Sequence, residues 1–127
     1  MNIYGIGTDI VSVDRIKKSL KKKNFLNRIF SQKEILKCKN ITKPYNCYAK
    51  RFAAKEAFSK ALGTGIAGGI NFNEIIILNE KSGKPYIFLT GQTKKILKDK
   101  FKNKNLKISL SISDEKKYAI AFVTICL

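Results

Sequence analysis

The 127-residue chain carries 26 basic and nine acidic residues, which gives a formal charge of +17, and 44% of its residues are hydrophobic. This size and hydrophobic content predict one domain with one core, spanning residues 1–127, and exclude a disordered tail. The chain has no histidine, which excludes Ser-His-Asp and Cys-His catalysis, histidine-ligated zinc and histidine general bases. Carboxylate, lysine and metal chemistry remain, and these are the usual groups for handling phosphates.

The same composition sets expectations for location and redox state. The chain has no run of 18 apolar residues and no signal-peptide pattern at its start, so we expect a cytoplasmic protein that does not cross a membrane. The odd number and wide spacing of Cys38, Cys47 and Cys126 predict free thiols, with no disulfide framework and no zinc site. The positive charge favours a negatively charged partner without identifying it.

The first predicted element is a strand over residues 3–11. Gly5, Gly7 and Asp9 share one face of this strand, and we expect the glycines to leave open space beside the carboxylate. Because an unpaired buried carboxylate is costly, Asp9 would have to be paired, protonated or bound to a metal there. Alternatively, it ends the strand and caps the helix that follows, and the pattern favours neither interpretation.

Three helices are predicted next. The first is short and basic, over residues 13–23, and a capping-box pattern at residues 31–34 predicts a second short helix. The clearest helix runs over residues 45–62, where Glu56 and Lys60 lie one turn apart. These two residues form either an exposed ion pair, which is the commoner arrangement, or a carboxylate and an ammonium directed at a metal and a phosphate.

The second half of the chain begins with a glycine-rich loop over residues 63–69, which could approach a phosphate but matches no phosphate-loop motif. A hairpin over residues 72–89, a basic helix over 92–102 and a second hairpin over 106–127 follow. The last strand is apolar on both faces, so we expect it to be central and buried. Strands and helices do not strictly alternate, which favours an α+β fold over a doubly wound sheet.

Four segments of the chain resemble motifs of the bacterial holo-acyl-carrier-protein synthases, which are 4′-phosphopantetheinyl transferases. They are residues 5–11 (GIGTDIV), 51–66 (RFAAKEAFSKALGTGI), 79–85 (NEKSGKP) and 111–119. The resemblance covers nearly the whole chain in the family's order. It implies an α+β 4′-phosphopantetheinyl transferase fold, with a mainly antiparallel sheet and one long helix, assembled as a homotrimer with active sites at the subunit interfaces.

The resemblance also implies a reaction and its central residues. The family transfers 4′-phosphopantetheine from coenzyme A to a serine of apo-acyl carrier protein for fatty-acid biosynthesis, and releases adenosine 3′,5′-bisphosphate. Asp9 and Glu56 match the family's Mg²⁺ ligands, and Lys60 matches the lysine that contacts the coenzyme's phosphate. Glu56 and Lys60 are therefore the catalytic candidates. The proton acceptor is either Glu56 or a metal-bound water, and Glu34 is a weaker candidate for orienting a water.

Two further sets of residues follow from the resemblance. The coenzyme-binding candidates are Lys50, Arg51, Lys60, Gly63, Thr64, Gly65 and Pro85. The candidates for docking the acidic helix of acyl carrier protein are Arg15, Lys18, Lys22 and Arg28. Ser109 stands where many relatives carry a histidine, which weakens the family expectation for the 3′-phosphate end of the coenzyme. Lys50 and Arg51 are expected to contribute more there.

Two other functions are compatible with parts of the sequence. The positive charge, with five tyrosines and eight phenylalanines, would suit a nucleic-acid-binding module. No RRM, KH or helix-turn-helix motif is visible, so nucleic acid is not expected as a partner. The same fold could also serve another Mg²⁺-dependent phosphoester reaction. The joint presence of Asp9, Glu56 and Lys60 argues against that alternative.

Overall fold

The computed structural model describes residues 2–63, 68–102 and 104–127. The elements form an α+β fold, as predicted. In chain order they are β1 (Ile3–Ser12), α1 (Val13–Ser19), α2 (Phe25–Ile29), α3 (Gln32–Lys39), α4 (Pro44–Leu62), a 3-10 turn (Phe72–Glu74), β2 (Ile75–Asn79), β3 (Pro85–Leu89), α5 (Gly91–Lys100), β4 (Lys107–Asp114) and β5 (Tyr118–Cys126). In the described ranges, no helix is long and apolar enough to cross a membrane.

The strands form two antiparallel sheets. The larger has the order β1-β5-β4, and the smaller pairs β2 with β3. The prediction that the last strand is central is confirmed. Its burial is confirmed for one face only: Ala119, Ala121 and Val123 are buried, whereas Ile120 and Phe122 on the other face are 44% and 45% exposed. The larger sheet therefore presents an apolar outer face to solvent in the single chain.

Helix α4 packs across β1 and β5 and forms the centre of the core. Pro44 occupies its first turn and Gly63, with a φ of 82°, ends it in the left-handed region that favours glycine. The two glycines of β1 let this helix approach closely. A Cβ atom at Gly5 or Gly7 would overlap a backbone carbonyl of α4, at Ala61 and Ala57 respectively. The prediction of open space beside these glycines is therefore wrong, because the helix backbone fills it.

The first predicted helix is shorter than expected. It was predicted over residues 13–23 but ends at Ser19, and the separate helix α2 begins at Phe25. Asn24 precedes α2 with a φ of 69°, which turns the chain between the two helices. The capping box of α3 is confirmed, since the Ser31 and Glu34 side chains and backbone N–H groups bond reciprocally.

Glu34 also forms a buried ion pair with Lys55 of α4. Lys55 Nζ donates to Glu34 Oε1 and to the carbonyl oxygens of Phe72 and Ile75, each at 2.7 Å. Burial lowers the pKa of Lys55 to about 8, although the charge and hydrogen bond of Glu34 oppose this effect. Glu34 Oε2 accepts a hydrogen bond from the backbone N–H of Ile77 at 3.1 Å. Glu34 is therefore fixed inside the core, and the hypothesis that it orients a catalytic water is wrong.

The cysteines differ from expectation. Cys38 of α3 and Cys47 of α4 form a disulfide, with Cα atoms 5.4 Å apart, and Cys126 has a free thiol. The prediction of three free thiols is therefore wrong for two of them. The physical reason is that a short connection folds α3 back against α4, which brings two cysteines nine positions apart into contact.

Candidate active site

Three of the predicted site residues meet where β1 and α4 pack together. Lys60 Nζ of α4 donates a hydrogen bond to Asp9 Oδ1 of β1 at 3.1 Å, and another to the Thr8 carbonyl oxygen at 3.0 Å. Lys60 thus pairs across to the strand, whereas its helical spacing alone favours an ion pair with Glu56. The exposed fractions of the Lys60 and Asp9 side chains are 55% and 16%. The close approach of helix and strand brings these groups together.

Glu56 lies one turn before Lys60, and effects of opposite sign act on the pKa of its carboxyl group. Burial raises the pKa of its carboxyl group, the negative charge of Asp9 raises it further, and the positive charge of Lys60 lowers it. Two carboxylates therefore share one partly desolvated region and repel each other. A cation placed between them would stabilise the charged form of both.

A cleft of about 360 Å³ opens beside the two carboxylates, and we call it the carboxylate cleft. Asp9 and Glu56 line it together with Arg15 of α1 and two aromatic side chains, Phe25 and Phe52, whose ring centroids lie 6.2 Å apart. The lining of the cleft is thus partly charged and partly apolar. Arg15, predicted to dock a partner, thus lines the same cleft as the predicted metal ligands.

The donor set of this cleft fits Mg²⁺. Carboxylate oxygens are hard ligands, and Mg²⁺ in enzymes typically uses one or two of them together with water and substrate phosphate oxygens. Among the described residues, no group of three or more His, Cys, Asp or Glu side chains could hold a metal ion. The two carboxylates alone therefore suit a metal that is shared with a phosphate, and do not suit an all-protein cage.

A second cleft, of about 230 Å³, lies between α4 and the β2–β3 hairpin. It contains three of the predicted coenzyme-binding residues, Lys50, Arg51 and Pro85, and also Lys37, which was not predicted. We call it the cationic cleft because three of its lining side chains are basic. Lys37 belongs to no motif, and its place there depends on the packing of α3 against the hairpin.

Two of the three basic side chains of the cationic cleft contact the same side-chain amide. Lys37 Nζ and Arg51 Nη2 both donate to Asn79 Oδ1, at 2.8 and 3.1 Å. Arg51 is 5% exposed, and burial lowers the pKa of its guanidinium group. Burial also lowers the pKa of Lys37, as do the charges of Arg51 and Lys50. Lys50 Nζ lies 3.9 Å from a carboxylate oxygen of Asp114. The cleft holds more positive than negative charge, so it favours an anion.

Of the remaining predicted residues, Arg15 lines the carboxylate cleft, and the other described ones line neither cleft. Gly63 is exposed at the end of α4, whereas Thr64 and Gly65 lie outside the described residues. Ser109 is exposed on β4. The four predicted docking residues are all exposed, on α1, on α2 or between them: Arg15, Lys18, Lys22 and Arg28.

Comparisons with known proteins agree with this arrangement. The model of the 4′-phosphopantetheinyl transferase superfamily matches residues 5–123. The holo-[acyl-carrier-protein] synthase of Pelagibacter ubique is 54% identical, over 97% of this chain and 96% of its own length. The crystal structure of the Neisseria meningitidis synthase superposes with a TM-score of 0.86 at 42% identity, covering 99% of this chain and 100% of that chain.

A Helicobacter pylori holo-[acyl-carrier-protein] synthase, solved in complex with coenzyme A, matches with a TM-score of 0.78 at 38% identity and covers 95% of this chain and 99% of that chain. The matches to sequences and to structures are thus nearly full-length in both directions. The chain therefore belongs to the 4′-phosphopantetheinyl transferase superfamily and, within it, to the holo-[acyl-carrier-protein] synthases.

Proposed function

We propose that this chain transfers 4′-phosphopantetheine from coenzyme A to a serine of apo-acyl carrier protein. The observation that carries the proposal is the meeting of Asp9, Glu56 and Lys60 beside one cleft. Two carboxylates and an ammonium are the groups that a metal-assisted phosphoryl transfer requires. The names of the relatives, and the coenzyme A bound by the H. pylori protein, support the same reaction.

Mg²⁺ is the metal that we propose for the carboxylate cleft, with Asp9 and Glu56 as its protein ligands. When bound, it supplies positive charge against the pyrophosphate of coenzyme A. The raised pKa of Glu56 supports this assignment, because it reflects burial and a neighbouring negative charge that a cation would offset.

The chain's own residues then have separate tasks. Lys60, held beside the cleft by Asp9, is exposed enough to contact a phosphate oxygen and to neutralise charge that develops on it. Glu56 is the group we propose as acceptor of the serine proton, because its carboxylate lines the cleft in which that serine would be placed. The serine Oγ bonds to the β-phosphorus, the bond from that phosphorus to the bridging oxygen breaks, and adenosine 3′,5′-bisphosphate leaves.

The nucleotide end of the coenzyme is proposed to occupy the cationic cleft. Lys50, Arg51 and Lys37 supply positive charge there, and Pro85 supplies an apolar wall. Arg51 Nε is buried without a hydrogen-bond partner among the described residues, so the guanidinium retains a donor for a ligand. The remaining candidates, Gly63, Thr64 and Gly65, are proposed to enclose the pyrophosphate.

The proposed assembly is a homotrimer with active sites between subunits. Its support is the apolar outer face of the larger sheet, where Ile6 and Ile10 are 60% and 64% exposed beside Ile120 and Phe122. A contiguous apolar face of this kind favours contact with another protein surface. We also propose that the protein is located in the cytoplasm.

Acyl carrier protein is proposed to dock on the basic surface formed by Arg15, Lys18, Lys22 and Arg28. Their exposed charges would attract an acidic helix and accelerate its association. Because Arg15 also lines the carboxylate cleft, a carrier bound there would bring its serine to the proposed metal ligands. Fatty-acid biosynthesis is the proposed pathway.

Release of the nucleotide product tests this proposal. Purified protein, coenzyme A and Mg²⁺ are mixed with an apo-acyl carrier protein, and adenosine 3′,5′-bisphosphate is measured by chromatography. The matched control is the same carrier with its acceptor serine replaced by alanine. We expect one nucleotide per carrier with the serine and none without it. Equal release with both carriers would show hydrolysis of coenzyme A and contradict the proposal.

A further inference from the structure

The Cys38–Cys47 disulfide lies at the cationic cleft. Cys47 is one of the residues that line this cleft, whereas Cys38 is fully buried behind it. Cys47 itself is 2% exposed, and it is the cysteine of the pair that borders the cleft. One cysteine of the bridge is therefore buried in the core, and the other borders a space large enough for a ligand.

Arg51 connects the disulfide to the cleft. Its Nη1 donates to Cys47 Sγ at 3.1 Å and to the Cys47 carbonyl oxygen at 3.4 Å, while Nη2 reaches Asn79. The guanidinium that is proposed to contact the coenzyme thus also touches one sulfur of the bridge. In the disulfide this sulfur is uncharged, so the positive charge of Arg51 is free to attract an anion.

Reduction would change the charge at this position. A Cys47 thiol would lie among the positive charges of Lys37, Lys50 and Arg51, which favour the thiolate form. A thiolate there would pair with Arg51 and remove one unit of positive charge from the cleft. An anion bound in the cleft would then be attracted less strongly.

We propose that Cys38 and Cys47 form a reversible thiol–disulfide pair that sets the affinity of the cationic cleft for the phosphate groups of coenzyme A, with tighter binding in the disulfide form. The identity of the anion rests on the proposed function, whereas the redox chemistry does not.

The exchange step uses a dithiol as reductant. Its thiolate enters the cleft and attacks Cys47 Sγ, the bond between the two cysteine sulfurs breaks, and Cys38 leaves as a thiolate that takes up a proton. The second thiol of the reductant then closes a cyclic disulfide and releases Cys47. Two electrons pass to the protein and the reductant is oxidised to its disulfide, so the step balances.

The test compares, by calorimetry, the affinity for coenzyme A in the two redox states, and every such measurement uses coenzyme A with its thiol capped by methylation, because a free thiol on the ligand would itself exchange with the bridge. A Cys126→Ser background removes the third thiol, so that thiol counting reports on the pair alone. We expect no free thiol after treatment with oxidised glutathione and two after dithiothreitol. We also expect the Kd for coenzyme A to be about five- to tenfold higher in the reduced protein, with a smaller difference in 1 M salt.

Two single variants distinguish the effect of the Cys47 thiolate charge from the effect of losing the disulfide. Cys38→Ser leaves the Cys47 thiolate and should bind coenzyme A as weakly as the reduced protein. Cys47→Ser also lacks the bridge but has no thiolate, and should bind more tightly than Cys38→Ser. Equal affinity in both variants, or two thiols that do not pair under oxidation, would overturn the inference. If neither redox state supports transfer but the affinity difference remains, the proposed function fails and this inference stands.

Discussion

Replacing Lys55 with methionine should strongly destabilise the fold, because it leaves a buried carboxylate without its counter-ion. Lys55 is 0% and Glu34 1% exposed, and the ammonium makes three hydrogen bonds of 2.7 Å. Methionine fills a similar volume but supplies no donor. The substitution therefore leaves the Glu34 carboxylate and two carbonyl oxygens without this partner.

The expected loss follows from these contacts. Removing one partner of a buried ion pair costs about 3–5 kcal/mol, a large share of the roughly 5–15 kcal/mol that stabilises a domain. For a chain of this length, that loss lowers the melting temperature by about 10–20 °C. Urea unfolding followed by circular dichroism, together with a thermal scan, measures both quantities at pH 7.

A double variant provides the matched control. Glu34→Gln combined with Lys55→Met removes both charges, so it should be more stable than Lys55→Met alone, although it loses the same lysine hydrogen bonds. If Lys55→Met unfolds within about 1 kcal/mol of the unsubstituted protein, the ion pair does not hold α3 against α4 as its geometry indicates. A double variant no more stable than the single one would contradict the unpaired-charge explanation.

Three other predictions concern the site and its support. Asp9→Ala and Glu56→Ala should each lower Mg²⁺-supported transfer by about 100-fold or more without changing the unfolding midpoint, and near-normal turnover in both variants would contradict the metal-ligand assignment. Gly7→Ala would place a Cβ that overlaps the Ala57 carbonyl oxygen and lies 2.8 Å from the Ala61 nitrogen, where ordinary contact needs about 3.4 Å. It should cost about 1–3 kcal/mol in urea unfolding and reduce transfer, and unchanged stability would mean that β1 and α4 pack less tightly. Burial raises the pKa of Glu74, but hydrogen bonds that include two N–H groups of the first turn of α5 outweigh it and hold the pKa below its usual range. Glu74→Ala should therefore cost about 1 kcal/mol at pH 7. This difference should begin to shrink below pH about 4.5 and be lost as the pH falls through the lowered pKa of the folded state; a difference as large at pH 3 as at pH 7 would refute this.

The fold was largely predictable because its signals are local. Alternating side chains over residues 3–11 specify β1, and Pro44 and Gly63 mark the ends of α4. The partner of Lys60 was not predictable in this way. Its helical spacing favours Glu56, but its contact with Asp9 depends on how closely α4 approaches β1, which is a tertiary property.

The residues of the cationic cleft were also only partly predictable from local sequence patterns. Arg51 lies in a recognisable motif, so its place in the site was expected. Lys37 carries no such signal, and the Cys38–Cys47 bridge was predicted not to exist. Both follow from the way α3 folds back against α4, and no local pattern around residues 37–47 encodes that packing.

The central claim is that the chain transfers 4′-phosphopantetheine to a carrier serine, and the intact mass of the carrier tests it most directly. Apo-acyl carrier protein is incubated with the purified protein, coenzyme A and Mg²⁺, then weighed by mass spectrometry, with a parallel sample in EDTA. The account predicts a mass gain of one phosphopantetheine that disappears in EDTA. An unchanged carrier mass across several carriers, with the enzyme folded and Mg²⁺ present, would contradict it.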